Sequence, residues 1–259
     1  MKITLVTPSF NQSLFLERTI LSVLGQNYPN IEYVVADGGS TDGSVDIIRR
    51  YADRLSWWVS EKDMGQSHAI NKGLRRATGD IVGWLNSDDT LAPGALHAIA
   101  QAYQQHPEAD LIYGHTCLID QNDRILRRLC AVPTNASELI NFNPNMFSQP
   151  GTTWRTSLNA KIGYLDEALH YAMDCDFWIR AAQHGVLRLL PRHLANLRCH
   201  GATKSERLRD VRVAEYAELK RRYGALELGR IRRLALTARR YSRILASPPT
   251  LAYRLGLSI

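Results

Sequence analysis

Cysteine is scarce in this chain of 259 residues, and its four cysteines lie far apart in the sequence. Cys117, Cys130, Cys175 and Cys199 form no Cys-x-x-Cys pair, which argues against a zinc knuckle and against the disulfide framework of a small secreted domain. No apolar run is long enough to cross a membrane, and residues 1–8 are too short an apolar stretch for a signal peptide. We therefore expect a protein of the reducing cytoplasm.

Two common phosphate-binding fingerprints are also missing. No Gly-x-Gly-x-x-Gly follows the first predicted strand, and no Gly-x-x-x-x-Gly-Lys-Ser/Thr loop occurs in the sequence. Dinucleotide-binding and ATP-loop interpretations therefore lose their main support.

Excess positive charge is absent from most of the chain. Residues 205–259 hold 13 of the 32 Lys and Arg residues but only 5 of the 25 Asp and Glu residues, which leaves residues 1–204 close to neutral. This distribution argues against a nucleic-acid-binding core. It allows a basic tail that meets an acidic surface.

Short β-branched apolar runs alternate with segments of helical spacing in residues 1–110. The spacing predicts strands at residues 3–7, 31–36, 55–59 and 81–85, and helices at residues 14–24, 45–51, 66–76 and 93–105. Such alternation is typical of an α/β fold with a doubly wound, mainly parallel sheet flanked by helices. From residue 111 the sequence predicts strands at 111–119, 125–131 and 186–190, a loop at 141–150 and a helix from Asp174 to Gly185.

Polar clusters follow three of the predicted strands directly, at residues 7–11, 37–42 and 86–89. Because ligands of such sheets bind outside the carboxyl ends of the strands, we expect these clusters to share one edge. Asp37, at a strand end before two glycines, suits a ribose hydroxyl or a base N–H, although a tight turn explains it equally well.

The adjacent carboxylates of Asp88 and Asp89 are costly to hold together unless a cation or hydrogen-bond donors offset their repulsion. Mg²⁺ and Mn²⁺ favour such oxygen ligands together with substrate phosphates. A solvated turn is the alternative.

Asp174 and Asp176 begin a predicted helix, where one carboxylate can serve as a general base and the other as a cap or packing group. Residues two apart on a helix face different sides, so both cannot do the same work. His200, after the last strand, is by itself more typical of a packed or surface histidine than of a ligand.

Together these residues resemble family 2 glycosyltransferases, whose nucleotide-sugar-binding fold is known as GT-A. The resemblance covers roughly residues 1–205, and its specificity lies in the order of its motifs. The series comprises Thr7-Pro8-Ser9-Phe10-Asn11, Thr19-Ile20-Leu21-Ser22-Val23-Leu24, Asp37-Gly38-Gly39-Ser40-Thr41-Asp42, Asp63-x-Gly65-Gln66, Ala69-Ile70-Asn71-Lys72-Gly73, Leu85-Asn86-Ser87-Asp88-Asp89, Gln149-Pro150-Gly151, Asp174-Cys175-Asp176-Phe177-Trp178 and His200.

The resemblance implies a role for each motif. Asp37 would hold the base of the nucleotide, with Thr7 and Pro8 in the same pocket, and Asp63 and Lys72 would lie beside the nucleotide. Asp88 would contact the ribose, and Asp89 would bind Mn²⁺ or Mg²⁺, with His200 near the metal or the diphosphate. Asp174 would deprotonate the acceptor hydroxyl as it attacks the sugar.

The resemblance also implies a domain plan and an activity. Residues 1–204 would form the GT-A domain, with a nucleotide-sugar half at 1–110 and an acceptor half at 111–204, followed by a basic helical extension at 205–259. We expect a metal-dependent hexosyl- or N-acetylhexosaminyltransferase that uses a UDP-linked donor and inverts the anomeric centre. Its acceptor would be a saccharide or a lipid-linked hydroxyl of a bacterial surface polysaccharide or glycoconjugate.

The chain departs from the family's pattern at two positions. Asn86 stands where many members have another Asp, and Ile70 stands where an Arg is often found. The Gln-x-x-Arg-Trp motif of processive synthases is absent, so we expect transfer of a single residue. A sugar nucleotidyltransferase and a non-catalytic nucleotide-sugar-binding protein are the alternatives.

Residues 228–245 have the spacing of an amphipathic helix. Ile231, Leu234, Ala238, Tyr241 and Leu245 fall on one side, with several arginines opposite. The helix either packs on the domain with a solvated basic face, or it rests on anionic lipid at the inner membrane face.

Overall fold

The computed structural model describes residues 1–143, 146–201, 204 and 208–257, so residues 144–145 of the predicted acceptor loop lie outside it. The first half contains four parallel strands: β1 (Ile3–Ser9), β2 (Ile31–Asp37), β3 (Trp57–Ser60) and β4 (Ile81–Trp84), in the order β3-β2-β1-β4. Helices α1 (Ser13–Leu24), α2 (Ser44–Arg50), α3 (Gln66–Arg76) and α4 (Ala95–Gln105) complete this half. The predicted alternation of strands and helices is confirmed.

The second half continues the same sheet with mixed strand directions. Its strands are β5 (Thr90–Leu91), β6 (Leu111–Ile119), β7 (Ile125–Leu129), β8 (Thr153–Arg155) and β9 (Leu187–Arg198). Strand β8 is antiparallel to both β4 and β6, and β6 in turn is parallel to β9. Helices α5 (Ala136–Asn141), α6 (Thr156–Ile162) and α7 (Met173–His184) lie between these strands in the chain. The predicted α/β class is confirmed, with antiparallel β8 joining two parallel regions.

Strand β9 is longer than the sequence predicts. Pro191 suggests a strand end, because proline cannot donate to a ladder. Instead, the pairing of β6 with β9 shifts between Tyr113 and His115, where Tyr113 faces Leu189 and His115 faces His193. This irregularity accommodates the extra residues and lets β9 continue to Arg198, two residues before His200.

The sheet separates two apolar cores. Successive side chains of β1 point to opposite faces, so Leu5 packs with α1, α2 and α4 while Val6 packs with α3 and α7. On the second face Trp84 stacks on Trp178, with ring centroids 5.4 Å apart and planes 10° apart. The rigid layer at the end of β4 therefore lies against the helix that carries Asp174.

Three further helices follow the sheet: α8 (Arg209–Arg222), α9 (Arg230–Leu245) and α10 (Pro248–Leu255). Leu219, Ile244 and Tyr253, one from each helix, are buried in the same core as Trp84. In the part of the chain that the structure describes, none of the helices is long and apolar enough to cross a membrane.

The orientation of α9 differs from the expected packing of its apolar stripe on the domain, and the expected contact with anionic lipid stays a prediction. Ile244 and Arg243 face the domain, whereas Ile231 and Leu234 are 83% and 69% exposed, and Tyr241 and Leu245 are exposed as well. The apolar stripe predicted for the helix therefore faces outward. Arg243 faces the domain and donates to Glu138 Oε1 and Oε2 at 2.9 and 2.8 Å, whereas Arg232, Arg233 and Arg239 are exposed.

Candidate active site

The carboxyl ends of β1 to β4 open into a cleft of about 1310 Å³. Its lining includes residues from five of the segments singled out in the sequence: Pro8, Ser9, Gly38, Gly39, Asp63, Asn86, Asp88, Asp89 and Asp174. The parallel pairing of β1 with β2 and β4 brings the loops after these strands to one edge. The expected convergence is therefore present.

The loop after β2 leaves its main chain open to the cleft. A side chain at Gly38 would place its Cβ 2.6 Å from Asp63 Oδ2, and Gly39 has a φ of +82° that glycine adopts without strain. The Asp37 carboxylate lies behind them, 1% exposed, and accepts hydrogen bonds from Ser40 N at 2.8 Å and Ser60 Oγ at 2.7 Å. Asp37 thus shapes the loop, and a direct contact with a base requires a rearrangement of these partners.

Besides Asp37, two residues expected at the nucleotide do not line the cleft. Thr7 is fully buried, and its hydroxyl lies 3.0 Å from the Tyr33 hydroxyl, so its neighbours Pro8 and Ser9 face the cleft instead. Lys72 is held by Glu61, with 2.6 Å between Nζ and Oε1. Asp63 does line the cleft, and its Oδ1 accepts the Gly65 N–H at 2.8 Å.

Asp88 lines the cleft and faces His200, which does not itself line the cleft. His200 Nε2 lies 3.1 Å from Asp88 Oδ2, and the imidazole is held against the Phe15 ring with centroids 4.6 Å apart. The Asp88 side chain is 19% exposed and lines the cleft, so its carboxylate is accessible to a ligand.

Asp89 is buried beneath this pair. It is 1% exposed, and its two oxygens accept the Arg198 N–H at 2.8 Å and the Asn86 side-chain N–H at 3.1 Å. Burial, and then the neighbouring charge of Asp88, hold the pKa of Asp89 well above its usual range. The two adjacent acids therefore occupy different environments.

Asn86 has a clear structural reason to be an amide. Its Nδ2 donates to Asp89 Oδ2 and to Gln149 Oε1, both at 3.1 Å, while its Oδ1 accepts from Gln66 Nε2 at 2.6 Å. An aspartate here would put a third carboxylate against Asp89 and would lose both donations. The departure from the family's pattern at this position thus satisfies the buried carboxylate.

The Asp88–His200 pair fits a divalent cation. Two ligands bound side by side at about 2.1 Å from an octahedral ion are separated by about 3.0 Å, close to the spacing of this pair. Among the residues that the structure describes, no group of three His, Cys, Asp or Glu side chains could hold a metal. An ion bound by Asp88 and His200 would take its other ligands from phosphates and water, as Mg²⁺ and Mn²⁺ commonly do.

Asp174 and Asp176 have separate environments. Asp174 lines the cleft from the first turn of α7, and burial raises the pKa of its carboxyl. Asp176 is 1% exposed and bonds to Arg180 at 2.8 Å, to Arg222 at 3.0 Å and to the Tyr223 hydroxyl at 2.7 Å. Asp176 therefore packs the helix, and Asp174 is the carboxylate available to a substrate.

Glu215 is a residue that sequence reasoning missed. Its carboxylate accepts three backbone N–H groups just before α7: His170 at 2.7 Å, Tyr171 at 2.8 Å and Ala172 at 2.7 Å. Glu215 and the Asp176 partners Arg222 and Tyr223 belong to α8 or directly follow it. Helix α8 thus fixes the segment that presents Asp174. The sequence around Glu215 contains no motif that predicts this contact.

Comparisons with known proteins agree with this architecture. The sequence profile described as Glycosyl transferase family 2 matches residues 4–163. An uncharacterized glycosyltransferase of Nostoc sp. is 29% identical over 216 residues, which cover 78% of this chain and 66% of that protein. A putative teichuronic acid biosynthesis glycosyltransferase of Bacillus subtilis, TuaG, is 39% identical over 90 residues, covering 34% of this chain and 36% of that protein. The chain thus spans about two thirds of the Nostoc relative and little more than a third of the Bacillus one.

Solved structures share the fold at low sequence identity. S. aureus TarS in complex with UDP-GlcNAc has a TM-score of 0.66 at 20% identity, covering 100% of this chain and 77% of that chain. The mannosyltransferase PcManGT of Pyrobaculum calidifontis, in complex with GDP-Man and Mn²⁺, has a TM-score of 0.62 at 20% identity, covering 97% and 73%. With the profile spanning more than half of its length, the chain belongs to glycosyl transferase family 2 and has the GT-A fold.

Proposed function

We propose that this glycosyltransferase moves one hexosyl or N-acetylhexosaminyl residue from a nucleotide-diphosphate sugar to a hydroxyl acceptor, with inversion and with the help of a divalent cation. The observation that carries the proposal is the shared cleft, which is lined both by Asp88, the partner of His200, and by Asp174. The complexes of TarS with UDP-GlcNAc and of PcManGT with GDP-Man and Mn²⁺ support the donor class and the cation. We favour UDP as the nucleotide.

The donor nucleotide would lie at the ends of β1 to β3. Pro8, Ser9, Gly38 and Gly39 expose main chain there, and a flat base and ribose can approach it closely because the glycines carry no side chain. Asp63 lies beside Gly38 and faces the same space. Lys72 and Asp37 would act from behind this surface, through Glu61 and the Ser40–Ser60 network respectively.

We assign the cation to Asp88 and His200, with Asp89 beneath them, in place of the ribose contact expected for Asp88 and the metal bond expected for Asp89. When bound, such an ion would stabilise the charge that develops on the leaving diphosphate. Asp89 acts through the backbone: by holding the Arg198 N–H it fixes the end of β9, from which His200 follows. Asn86 and Arg198 N satisfy it in the absence of any ion.

Asp174 would take the proton of the acceptor hydroxyl. Its raised pKa makes the ionised carboxylate a stronger base than an ordinary aspartate, since burial disfavours its charged form. Asp176, the other acid of this segment, is fully engaged by Arg180, Arg222 and Tyr223. A single base opposite the leaving group favours one displacement and therefore inversion.

The acceptor would be a saccharide or lipid-linked hydroxyl of a bacterial surface polysaccharide, a class supported by the teichuronic acid relative. The outward apolar stripe of α9, Ile231, Leu234, Tyr241 and Leu245, would rest on the inner membrane face. Arg232 and Arg239 border the stripe and are exposed, which suits an anionic lipid surface.

The direct test combines donor and product analysis. UDP-GlcNAc, UDP-glucose and GDP-mannose are offered with Mn²⁺, and slow donor hydrolysis and transfer to added sugar acceptors are measured, with the product anomer determined by NMR. We expect hydrolysis of one donor class and a single inverted linkage per acceptor. Formation of UTP or GTP together with a sugar 1-phosphate when pyrophosphate is added would indicate a sugar nucleotidyltransferase. Donor binding without turnover would indicate a nucleotide-sugar sensor.

A further inference from the structure

The cleft has a second part, built by β6, β7 and α9, that the donor and the base do not use. Its lining is mainly apolar, with Leu118, Leu129, Met146 and Phe147, and it also contains two arginines, Arg127 and Arg240. The acids that line the cleft belong to other segments: the loops after β3 and β4, and the first turn of α7. Positive charge and apolar surface therefore lie side by side here.

Strand register fixes the floor of this part. Leu118 of β6 pairs with Leu197 of β9 on one side and with Arg127 of β7 on the other. Residues paired across strands point to the same face of a sheet, so these three side chains form one row. Leu129, two residues after Arg127, extends the same face along β7.

The two arginines approach this floor from different elements. Arg240, on the inward side of α9, is partly buried, with Nη2 3.5 Å from the Cys130 carbonyl oxygen. Cys130 follows Arg127 by three residues, which corresponds to about 10 Å of extended chain. For Arg127, no hydrogen-bond or ion-pair partner is found within the described ranges, and its side chain is exposed.

We propose that Arg127 and Arg240 form an anion subsite for an acceptor that carries a phosphate, with the apolar floor receiving the group next to that phosphate. Arginine is suited to this role because its planar fork of N–H donors matches phosphate oxygens. The assignment rests on the proposed function, since it takes this part of the cleft as the acceptor side. A lipid phosphate and a soluble sugar phosphate share this chemistry.

The test uses the full chain saturated with UDP and Mn²⁺, so that the donor end is filled. Farnesyl phosphate, farnesol and glucose 1-phosphate are titrated calorimetrically into the wild type, into Arg127→Gln/Arg240→Gln, and into Arg124→Gln/Arg233→Gln. The last variant is the matched control, because it removes the same charge from the β6–β7 turn and from α9 outside the cleft.

We expect wild type and control to bind farnesyl phosphate at least tenfold more tightly than farnesol, and the Arg127/Arg240 variant to lose that difference. If glucose 1-phosphate binds as tightly as farnesyl phosphate, the acceptor is a soluble phosphorylated compound. If glucose 1-phosphate binds more weakly, the acceptor is lipid-linked. Equal affinities of the two double variants, or no preference of the wild type for the phosphate, would overturn the proposal. Retained UDP binding in all three proteins shows that such a failure leaves the donor assignment intact.

Discussion

Asp88 and Asp89 are neighbours in the chain, yet the structure gives them unlike surroundings. Asp88 lines the cleft and pairs with His200, whereas Asp89 is buried and bonded to Asn86 and Arg198 N. The sequence indicated an acidic pair beside a ligand, but it could not say which member is buried, because that depends on the turn after β4. The same holds for Asp174 and Asp176, whose division of roles depends on arginine and tyrosine residues about 46 positions later.

Replacing the proposed base separates chemistry from binding. Asp174→Asn keeps the size of the side chain but removes the proton acceptor, so we expect kcat to fall by about 10²- to 10⁴-fold with donor affinity unchanged. In the wild type, the raised pKa of Asp174 predicts that the rate falls on acidification at a higher pH than an ordinary aspartate would give. Asp176→Asn, measured alongside in transfer and thermal-melting assays, should instead lower stability.

A buried histidine away from the cleft makes stability depend on pH. Burial lowers the pKa of His115 to about 4, so the unfolded chain binds a proton below pH 6.5 while the folded chain does not. The contribution of His115 to the free energy of unfolding is therefore fully present above pH 6.5 and is lost as the pH falls towards 4. The loss amounts to about 3 kcal/mol for this group.

His115→Gln should reduce that loss of stability, because glutamine does not take up a proton between pH 7 and pH 4. The variant should stay folded, since a glutamine can still accept the Ala131 N–H that His115 Nδ1 accepts at 3.3 Å. Urea unfolding of the wild type and the variant at pH 7 and at pH 4.5 measures the difference. His97→Gln, at an exposed position, is the control and should leave the pH dependence unchanged. Parallel pH profiles of wild type and His115→Gln would refute the assignment.

At the scale of elements, the strands and helices of residues 1–110 could be predicted because each carries its own periodic apolar pattern. Strands β5 and β8 have two and three residues, too few to show a period. The packing of α9 could not be predicted from the sequence either, since residue spacing predicts an apolar face but not the direction in which that face points. Arg243 and Glu138, 105 residues apart, settle that direction.

Helix α8 holds the segment that presents Asp174, and a single substitution tests whether this contact matters for the proposed activity. Glu215→Gln removes the charge and one of the two oxygens that hold the three N–H groups before α7. We expect kcat to fall about tenfold with the donor KM within about twofold, since small displacements of a catalytic group are costly. Glu218→Gln, one turn later on α8 and bonded to Arg221, should leave both constants unchanged. A Glu215→Gln variant that melts earlier at unchanged kcat would assign Glu215 a purely structural role.

The outward face of α9 can be altered without disturbing the core. Ile231, Leu234 and Leu245 are 83%, 69% and 66% exposed, so their replacement by glutamine should change the free energy of unfolding by less than about 1 kcal/mol. We expect the full chain to float with phosphatidylglycerol vesicles, and the triple variant to remain in the dense fraction. Equal flotation of both proteins would remove α9 from the membrane contact.

At the scale of the whole molecule, one sheet brings together residues from both ends of the chain. The order β3-β2-β1-β4-β8-β6-β9-β5 could not be read from the sequence, because β8 inserts between β4 and β6 and leaves β5 at the far edge. The rule that ligands bind at carboxyl ends of parallel strands still located the cleft. The cleft also includes Arg240, which lies beyond residue 204, the predicted end of the GT-A domain. That boundary stays a prediction.

Calorimetric titration of UDP with and without Mn²⁺ tests most directly whether a cation-held diphosphate lies at Asp88 and His200, opposite Asp174. We predict that Mn²⁺ strengthens UDP binding about tenfold or more in the wild type and in Asp174→Asn, but not in Asp88→Asn or His200→Ala. Equal gains from Mn²⁺ in all four proteins would contradict the account, as would a loss of UDP binding on replacing Asp174 alone.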